Sequence, residues 1–326
     1  MKNVDALRGT VGTAFFGVPG VLLAVSGGPD SMALLHAAAA WGKSHPAVAL
    51  RAACVDHGLR VDCATEAEGV RAYAATLGVP CDILPVRPAS PAEADARQAR
   101  YVALVAHAKA HDCAAIATAH HADDAAETLL LYALRGAPPK GMRAKRDFEG
   151  LLLLRPFLQL PRATLESYVE RHGIPYYMDP TNDDTDYLRN ALRHRVLPEL
   201  QQVAPGAVAQ LAQAGRLAAD EDEYMEAQSA DWFLANVKVN TTVTIPRKAF
   251  ALLPPALARR VARLAWGRLG LAAPSVDATE NVVQYGFGRA GRCFLCHDDV
   301  GRPLAARCTR ETIILEPREE GHGPTR

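Results

Sequence analysis

The chain has 326 residues, of which 49% are hydrophobic and 22% are charged, as in an ordinary globular protein. The chain has 36 lysines and arginines and 36 aspartates and glutamates, so it is not basic overall. Any nucleic-acid-binding surface therefore has to be a local basic patch. The length exceeds what one hydrophobic core usually serves and predicts two domains, residues 1–203 and 204–326.

Targeting signals and cysteine usage predict a cytoplasmic protein. The start, Met1-Lys-Asn-Val-Asp5, lacks the apolar core of a signal peptide, and no apolar run reaches the length of a transmembrane helix. The seven cysteines are odd in number and scattered, which is typical of reduced thiols in the cytosol. We therefore expect no membrane partner.

From residue 21 to about 175, short apolar runs alternate with stretches of helical periodicity. The apolar runs predict five strands, at Val21–Val25, Leu50–Val55, Cys81–Val86, Ala114–Thr118 and Leu151–Phe157. The other stretches predict five helices, at Ser31–Trp41, Cys63–Leu77, Pro91–Ala110, Asp123–Leu134 and Arg162–His172. This alternation predicts an α/β fold with a doubly wound, parallel, five-stranded sheet, which binds ligands beyond the carboxyl ends of its strands.

The pattern changes after Pro205 and predicts a second, mainly helical domain. Its predicted elements are two helices and a closing pair of strands, at Ala207–Phe233, Pro254–Leu269, Cys293–His297 and Thr312–Glu316. Cys293 and Cys296 fit a structural position in this pair better than a zinc or redox role.

Two basic segments are candidates for contact with RNA. Arg143-Ala-Lys-Arg146 follows Gly136–Gly141, which predicts a mobile loop. The second C-terminal helix has a basic face that can follow an RNA backbone, made of Arg259, Arg260, Arg263 and Arg268. A solvated charge run explains either segment equally well.

Between the first strand and the first helix lies the loop Ser26-Gly27-Gly28-Pro29-Asp30-Ser31. The glycines let the backbone turn tightly and approach a ligand, and the N–H groups at the helix start attract an anion. The serine hydroxyls add donors, and the Asp30 carboxylate suits a cation bound to phosphate. No Gly-Lys-Ser or Gly-Lys-Thr follows, so this is not a Walker loop. The strand–loop–helix context favours a phosphate loop over an ordinary capped Gly-Gly turn.

The densest polar stretch follows the fourth strand and runs His120-His121-Ala122-Asp123-Asp124-Ala125-Ala126-Glu127. Asp123 and Asp124 precede Glu127 by four and three residues, so three carboxylates can converge on one side of a helix. Carboxylates suit Mg²⁺ better than zinc, since no third soft ligand is nearby in the sequence. Helix capping explains one acid but not the cluster, so we predict a functional site.

Three further sets of polar residues are weaker candidates. Asp56 and His57 close the second strand, where they are placed to reach adenosine or to form a capped turn. Arg97 lies on the third helix, where a guanidinium suits a triphosphate. Arg189 and Arg193 share one helix face and can bind phosphate. A solvated helix surface is the ordinary alternative for each arginine.

These motifs, in this order, resemble those of the tRNA(Ile)-lysidine synthetase family. The matching segments are Ser26–Ser31, Val55–Arg60, Ala96–Tyr101, His120–Thr128, Arg155–Phe157, Asp179–Asn182, Arg189–Asn190 and Arg193–His194. They cover roughly residues 20 to 200, and the combination is far more specific for the family than any one motif. Two places depart from the family pattern: Ala125 stands where glutamine is common, and Ala137-Pro-Pro-Lys140 replaces a loop of small residues.

The resemblance implies a PP-loop ATP pyrophosphatase that uses ATP and Mg²⁺. It implies adenylation of the wobble cytidine of an isoleucine tRNA with a CAU anticodon, followed by attack of L-lysine to give lysidine. The implied catalytic residues are Asp30, Arg97, Asp124 and Glu127. The implied nucleotide-binding residues are Ser26, Gly27, Gly28, Pro29, Asp30, Ser31, Asp56, His57 and His120. The implied substrate-binding residues are Arg100, Asp123, Glu127, Arg189, Asn190 and Arg193.

Within the acidic stretch we expect a division of roles. Asp124, together with Asp30, is the expected metal ligand and serves ATP. Glu127, with Asp123, is expected to hold the lysine ammonium.

Two other functions remain as alternatives. A tRNA thiolase shares the same loop but typically needs cysteine pairs near the nucleotide domain, and the four N-terminal cysteines form no C-x-x-C motif. A non-catalytic nucleotide-sensing module belongs to a different class, and retention of Asp30, Asp124 and Glu127 argues against it. The sequence leaves the oligomeric state open, with a homodimer as one option.

Overall fold

The structure is a computed structural model that describes residues 4–56, 58, 63–90, 93–178, 188–269, 275–286, 288, 291–297 and 303–317. Its internal contacts divide the chain into two compact units, Met1–Ala219 and Asp220–Arg326. The domain boundary that the sequence indicates, between residues 203 and 204, lies earlier in the chain than this division, and it stays a prediction. Within the described ranges, no helix is both long and apolar enough to cross a membrane.

The first unit is built on a six-stranded sheet. Its strands are β1 (Gly20–Ala24), β2 (Ala49–Asp56), β3 (Cys81–Pro85), β4 (Ala115–Ala117), β5 (Lys145–Phe148) and β6 (Leu151–Leu154). Their spatial order is β3-β2-β1-β4-β6-β5. All neighbours are parallel except β5 and β6, which are antiparallel. The five parallel strands are those that the sequence predicts, so the predicted fold class is confirmed.

The sixth strand, β5, includes part of the predicted basic loop segment. It joins β6 through a two-residue turn, in which Glu149 and Gly150 have φ values of 53° and 78°. Positive φ at both central residues is the requirement of a type I′ hairpin turn. The strand carries mainly charged residues, which protect an edge strand from pairing with another chain. The same charges remove the apolar alternation by which strands are found in a sequence.

Helices cover both faces of this sheet. They are α1 (Val4–Phe15), α2 (Pro29–Gly42), α3 (Cys63–Thr76), α4 (Glu93–Ala110), α5 (Ala122–Leu134) and α6 (Arg162–His172). Successive residues of β1 point to opposite faces. Leu23 therefore packs into the core that α1, α2, α3 and α6 share, whereas Leu22 packs with Leu104 of α4. This is the doubly wound arrangement; only α1 among these helices was not predicted.

A helical segment follows residue 188. It consists of α7 (Leu188–Ala191), a π-helical stretch (Leu192–Val196) and α8 (Leu197–Val203), and α9 (Ala207–Asn236) comes next. Short π-helical stretches are frequent at functional sites, and this one carries Arg193.

The second unit combines helices with an antiparallel sheet. Its further elements are β7 (Lys238–Val239), β8 (Val243–Pro246), α10 (Arg247–Phe250), α11 (Pro255–Gly267), α12 (Val276–Gly286), β9 (Gly291–His297), β10 (Pro303–Cys308) and β11 (Thr312–Pro317). The strand order is β7-β8-β11-β10-β9. The predicted helices are present, but the predicted pairing of the two closing strands is wrong, because β10 lies between β9 and β11 and pairs with both.

Candidate active site

The order of the first sheet reverses at β1, which pairs with β2 on one side and with β4 on the other. α/β sheets bind ligands at such a point, beyond the carboxyl ends of the strands. Residues 26–31 follow β1 and residues 120–127 follow β4. The two richest sequence motifs therefore meet at one edge of the sheet.

The predicted phosphate loop forms a closed turn. Ser31 Oγ accepts a hydrogen bond from the N–H of Ser26 at 3.1 Å and donates to the carbonyl of Gly28 at 2.9 Å. Gly27 has a φ of 85°, which favours glycine. α2 begins at Pro29, and the glycine before it has no side chain to cap the N–H groups of the first turn. The loop thus has the geometry of an anion site.

Tyr177 holds this loop in place. Its N–H donates to the Gly27 carbonyl at 3.0 Å, and its ring lies 3.4 Å from the point where a Cβ of Gly27 would stand. The Tyr177 hydroxyl fills the space beside Gly69 of α3, where any Cβ would overlap it. Sequence analysis missed both Tyr177 and Gly69, because their contact joins residues that are far apart in the chain.

Two arginines from the segment after residue 188 bind two acids of α5. Arg193 donates from Nε to Oε1 of Glu127 at 2.6 Å and from Nη2 to Oδ1 of Asp124 at 3.0 Å. Arg189 donates from Nε to Oε2 of Glu127 at 2.8 Å and from Nη2 to Oδ1 of Asp124 at 3.2 Å. The Glu127 side chain has no exposed surface. Four predicted site residues are therefore one buried network of charge-assisted hydrogen bonds.

His121 lies between the two predicted metal ligands. Its Nε2 is 3.5 Å from Oδ2 of Asp30 and 3.4 Å from Oδ2 of Asp124, and its Nδ1 is 3.6 Å from Oδ2 of Asp123. Burial alone would lower the pKa of His121, but these carboxylates outweigh it and raise the pKa to about 10. The three carboxylates therefore favour the protonated form of His121, between Asp30 and Asp124.

His120 has the opposite protonation preference. Its Nδ1 is 2.8 Å from the hydroxyl of Thr118. Burial lowers the pKa of His120 to about 3, and the positive charges of Arg155 and Arg189 act in the same direction although Asp124 opposes them. His120 is therefore a neutral hydrogen-bonding group next to a charged His121.

Acidic and cationic side chains are intermixed in this cluster. The four carboxylates belong to Asp30, Asp123, Asp124 and Glu127, and their cationic neighbours are Arg189, Arg193 and His121. The charges of Arg97 and Arg155 also act on the cluster, through His120. These surroundings lower the pKa of Asp124 to about 2, because the charge of His121, its backbone N–H and Arg189 overcome the effect of burial.

The predicted arginines of α4 stack on an aromatic residue. Arg97 and Arg100 lie 5.1 and 5.8 Å from the ring centroid of Tyr101, which is buried and packs edge-on against Phe148 of β5. Arg97 also contributes to the lowered pKa of His120, so its charge lies near the cluster. Both guanidiniums thus contact Tyr101, and that of Arg97 lies near enough to the site to act on His120.

Arg155 is a site residue to which sequence analysis assigned no role. Its side chain is buried, and Nη1 donates to the carbonyl of Arg143 at 2.5 Å. Among the described residues, none accepts a hydrogen bond from its Nε. Burial lowers the pKa of Arg155 to about 10, and the charges of Arg146 and Arg97 act in the same direction. The sequence could have indicated this role, because Arg155 directly follows an apolar strand, where ligand-binding residues of such sheets lie.

The remaining predicted residues lie around this centre or outside the described ranges. Asp56 accepts a hydrogen bond from the N–H of Gly58 at 2.8 Å, as in a capped turn. Asn190 follows Arg189 on α7. The prediction for His57 falls on a residue outside those that the structure describes, as does the motif at residues 179–182.

Comparison with known proteins agrees with this geometry. A family model described as a PP-loop domain matches residues 7–200. The tRNA(Ile)-lysidine synthase of Alkalilimnicola ehrlichii is 43% identical over 211 residues, which cover 63% of this chain and 46% of that protein. The enzyme of the same name from Methylobacterium nodulans is 39% identical over 256 residues, covering 74% and 73%. That of Methylobacterium sp. strain 4-46 is 39% identical over 280 residues, covering 83% and 80%.

The chain belongs to the tRNA(Ile)-lysidine synthase family. The match spans about half the length of the Alkalilimnicola relative, and most of the length of the two Methylobacterium relatives. Among solved structures, a U34-tRNA thiolase from Methanococcus maripaludis with its 4Fe-4S cluster has a TM-score of 0.57 at 14% identity. The superposition covers 66% of this chain and 78% of the thiolase chain. At 14% identity this similarity shows the fold alone.

In this member of the lysidine synthase family, the arginines predicted to contact RNA from α11 are engaged within the second unit. Arg259 Nε lies 2.5 Å from Oε1 of Glu280, and Arg260 Nη2 lies 2.6 Å from Oδ1 of Asp222. Burial lowers the pKa of Arg263. Contact with RNA through this face would have to compete with these ion pairs, so its role stays a prediction.

Proposed function

We propose that this protein ligates lysine to the 2-position of the wobble cytidine of an isoleucine tRNA with a CAU anticodon. ATP first adenylates the cytidine oxygen and releases pyrophosphate; the lysine amine then displaces AMP. The observation that carries the proposal is the charged network of Asp124, Glu127, Arg189 and Arg193 at the edge of the sheet where residues 26–31 form an anion site. Family membership supplies the choice of substrates.

We propose that the phosphate loop binds the ATP phosphates. The uncapped start of α2 offers backbone N–H groups, and its dipole favours negative charge. The hydroxyl of Ser31 is used within the loop, so it shapes the turn. Ser26 Oγ, 3.3 Å from Ser31 Oγ, is the hydroxyl that we assign to the nucleotide.

Asp30 and Asp124 are the residues that would hold Mg²⁺. Among the described residues, none donates a hydrogen bond to Oδ1 of Asp30, although this atom is buried. An unsatisfied carboxylate oxygen is the donor that Mg²⁺ prefers. Both oxygens of Asp124 already accept hydrogen bonds, from Arg189, Arg193 and the N–H of His121. Mg²⁺ would therefore bind first through Oδ1 of Asp30 and would reach Asp124 in competition with the His121 ring, which lies between the two carboxylates. Bound there, Mg²⁺ would neutralise phosphate charge during nucleotidyl transfer.

The two arginines stabilise charge that develops during adenylation. Their bonds to Glu127 and Asp124 use Nε and Nη2 of each guanidinium. We assign the Nη1 groups of Arg189 and Arg193 to the phosphates or the departing pyrophosphate. Catalysis benefits when such donors are fixed before the reaction, because no reorganisation is then needed.

For lysine, the structure favours one of the two expected acids. Both Glu127 oxygens accept from arginines, and the side chain has no exposed surface. The Asp123 side chain is 27% exposed; its Oδ2 accepts from the N–H of Arg162 at 3.0 Å and receives no arginine side chain among the described residues. We therefore propose that Asp123 attracts the lysine ammonium, while Glu127 acts by positioning the arginines.

The thiolase alternative is not supported by the cysteines of the first unit. Burial raises the pKa of Cys54 to about 12 and that of Cys81 to about 11, and it also raises the pKa of Cys113. Sulfur transfer needs thiolates, which such pKa values disfavour at neutral pH. A non-catalytic nucleotide sensor would not need the acid–arginine network. We propose the cytoplasm as the location, where tRNA is available.

The decisive experiment is mass analysis of isoleucine tRNA after incubation with ATP, Mg²⁺ and isotope-labelled lysine, with pyrophosphate measured in parallel. We expect the anticodon fragment to gain one lysine and the isotope label. Asp30→Asn should abolish both pyrophosphate release and the mass gain. Pyrophosphate release without incorporated lysine would indicate that another nucleophile is used. A mass increase of the tRNA that corresponds to sulfur would support the thiolase alternative. No pyrophosphate release would leave only a binding module.

A further inference from the structure

A second cluster of metal-ligating side chains lies at the opposite edge of the first sheet. Asp82 is at the amino end of β3, whereas His107 and His111 are at the carboxyl end of α4. One ligand atom from each of the three lies within 4.8 Å of the other two. Among the described residues, this is the one group of three such side chains that come so close. The candidate active site does not use it.

The two histidines lie close together at the end of α4. His107 lies in the last turn of α4 and His111 is the residue directly after this helix, and their ring centroids are 4.2 Å apart. His111 Nδ1 is 3.0 Å from the backbone carbonyl of His107. Because a carbonyl can only accept, Nδ1 carries a proton, so in the neutral ring of His111 the lone pair is on Nε2. Metal-binding histidines are oriented by this kind of bond.

The third ligand is already close to the first histidine. His107 Nε2 lies 3.1 Å from Oδ2 of Asp82, and the same oxygen accepts from Arg51 Nη1 at 2.7 Å. In this contact Nε2 carries the proton, because a carboxylate can only accept. Metal binding therefore requires the other neutral tautomer of His107, in which the proton is on Nδ1 and the Nε2 lone pair is free for the ion.

We propose that Asp82, His107 and His111 form a binding site for a first-row divalent cation, with Zn²⁺ as the best match. Two imidazoles and one carboxylate suit Zn²⁺, Ni²⁺ or Cu²⁺, whereas Mg²⁺ and Ca²⁺ prefer all-oxygen sites. Three protein ligands leave a fourth position for water. His111 is exposed and the Asp82 side chain is 43% exposed, so solvent gives the ion an entry path.

Arg51 sets the affinity of this site. Its guanidinium binds Oδ2 of the Asp82 carboxylate, and its charge repels a cation. The metal is thus expected to bind in competition with the Arg51–Asp82 ion pair. Binding would tie the end of α4 to β3 and stabilise the first unit, since a ligand that binds only the folded state raises its stability.

The test is a Zn²⁺ competition titration against a chromophoric chelator, with the full chain free of any affinity tag and treated with chelator beforehand. We expect wild type to bind one Zn²⁺ that His111→Gln binds at least tenfold more weakly. Arg51→Gln should bind this ion more tightly. His45→Gln is the matched control, because it removes an exposed histidine beside Trp41 and should bind like wild type.

Thermal unfolding gives a second measurement. Zn²⁺ should raise the midpoint of wild type and His45→Gln, and it should raise the midpoint of His111→Gln less. Because His111 is exposed, its replacement by glutamine should leave the fold intact, which circular dichroism without metal checks. Equal Zn²⁺ affinity of wild type and His111→Gln would overturn the proposal, and so would weaker binding by Arg51→Gln. If His111→Gln does not fold, Asp82→Asn is used in the same titration with the same criterion.

Discussion

Arg193 donates a hydrogen bond from Nε to Oε1 of Glu127 at 2.6 Å, and the carboxylate that accepts it has no exposed surface. The second oxygen of Glu127 accepts from Arg189 at 2.8 Å. A carboxylate buried in this way depends on its cations, and the cations depend on it. These bonds join two sequence motifs, one at residues 120–127 and one after residue 188, in a single hydrogen-bonded network.

Replacement of Glu127 by glutamine should therefore destabilise the first unit. The amide keeps one acceptor but removes the charge, and breaking a buried ion pair costs about 3 kcal/mol or more. The measurement is the free energy of unfolding by urea. The control is Glu170→Gln on α6, where the carboxylate is exposed and the change should be within about 0.5 kcal/mol. Equal stability of the two variants would mean that the network contributes nothing.

Replacement of Asp123 by asparagine should affect the lysine step more than adenylation. Asp123 is partly exposed and is the acid that we assign to the lysine ammonium. We expect pyrophosphate release to persist in single turnover, while lysidine formation slows about tenfold or more at low lysine and recovers in part at high lysine, because one charged hydrogen bond is worth roughly 1.5–3 kcal/mol. Glu127→Gln, if it folds, should lose both steps without rescue. Rescue of Glu127→Gln but not of Asp123→Asn would reverse the assignment.

Replacement of Gly69 by alanine should disturb the phosphate loop through Tyr177. Alanine normally stabilises a helix by up to about 1 kcal/mol relative to glycine. At Gly69 the added Cβ would overlap the Tyr177 hydroxyl, so we expect destabilisation and weaker ATP binding instead. Gly9→Ala in α1 is the matched control, because nothing lies within 4 Å of its Cβ position, and it should stabilise.

The Tyr177 contact can be isolated in a double variant. Removing the ring with Tyr177→Ala should take away the clash, so that Gly69→Ala becomes neutral or stabilising in that background. Equal effects of Gly69→Ala with and without Tyr177 would show that the ring does not fix the loop.

The two adjacent histidines should titrate at opposite ends of the pH scale. His121 gains a raised pKa of about 10 on folding, so its contribution to stability is complete below 6.5 and is lost as pH rises through about 10. His120 has a lowered pKa of about 3, so its contribution is present above 6.5 and is lost as pH falls toward 3. Nitrogen-15 NMR at pH 7.5 should show His121 doubly protonated and His120 neutral. A common pKa near 6.5 for both rings would contradict this.

The salt dependence of tRNA binding should separate the two basic segments. Arg259 and Arg260 are paired with Glu280 and Asp222, so neutralising them should change the salt slope little. Lys140 and Lys145 are exposed near the hairpin, and replacing both by glutamine should reduce the slope, because each lost phosphate contact removes released counterions. A larger reduction from the α11 variants would instead favour the face that the sequence suggests for RNA.

The sequence by itself determined the local elements and the chemistry of the first unit. Apolar runs indicate the five parallel strands, most clearly β1, β4 and β6, because a strand buried on both faces is apolar throughout. Alternation with helices then fixed the fold class, and the order of the sheet brought residues 26–31 and 120–127 to the same edge, as such folds require.

Only the tertiary structure decided which side chains meet. The bonds from Arg189 and Arg193 to Glu127 span 62 and 66 residues of sequence, and local periodicity carries no information over such distances. The same holds for Tyr177 against Gly69, and for β8 beside β11 in the second unit. Short or charged edge strands such as β5 and β7 acquire their structure from a partner strand. Their own residues lack the alternation of apolar and polar side chains from which a strand is predicted.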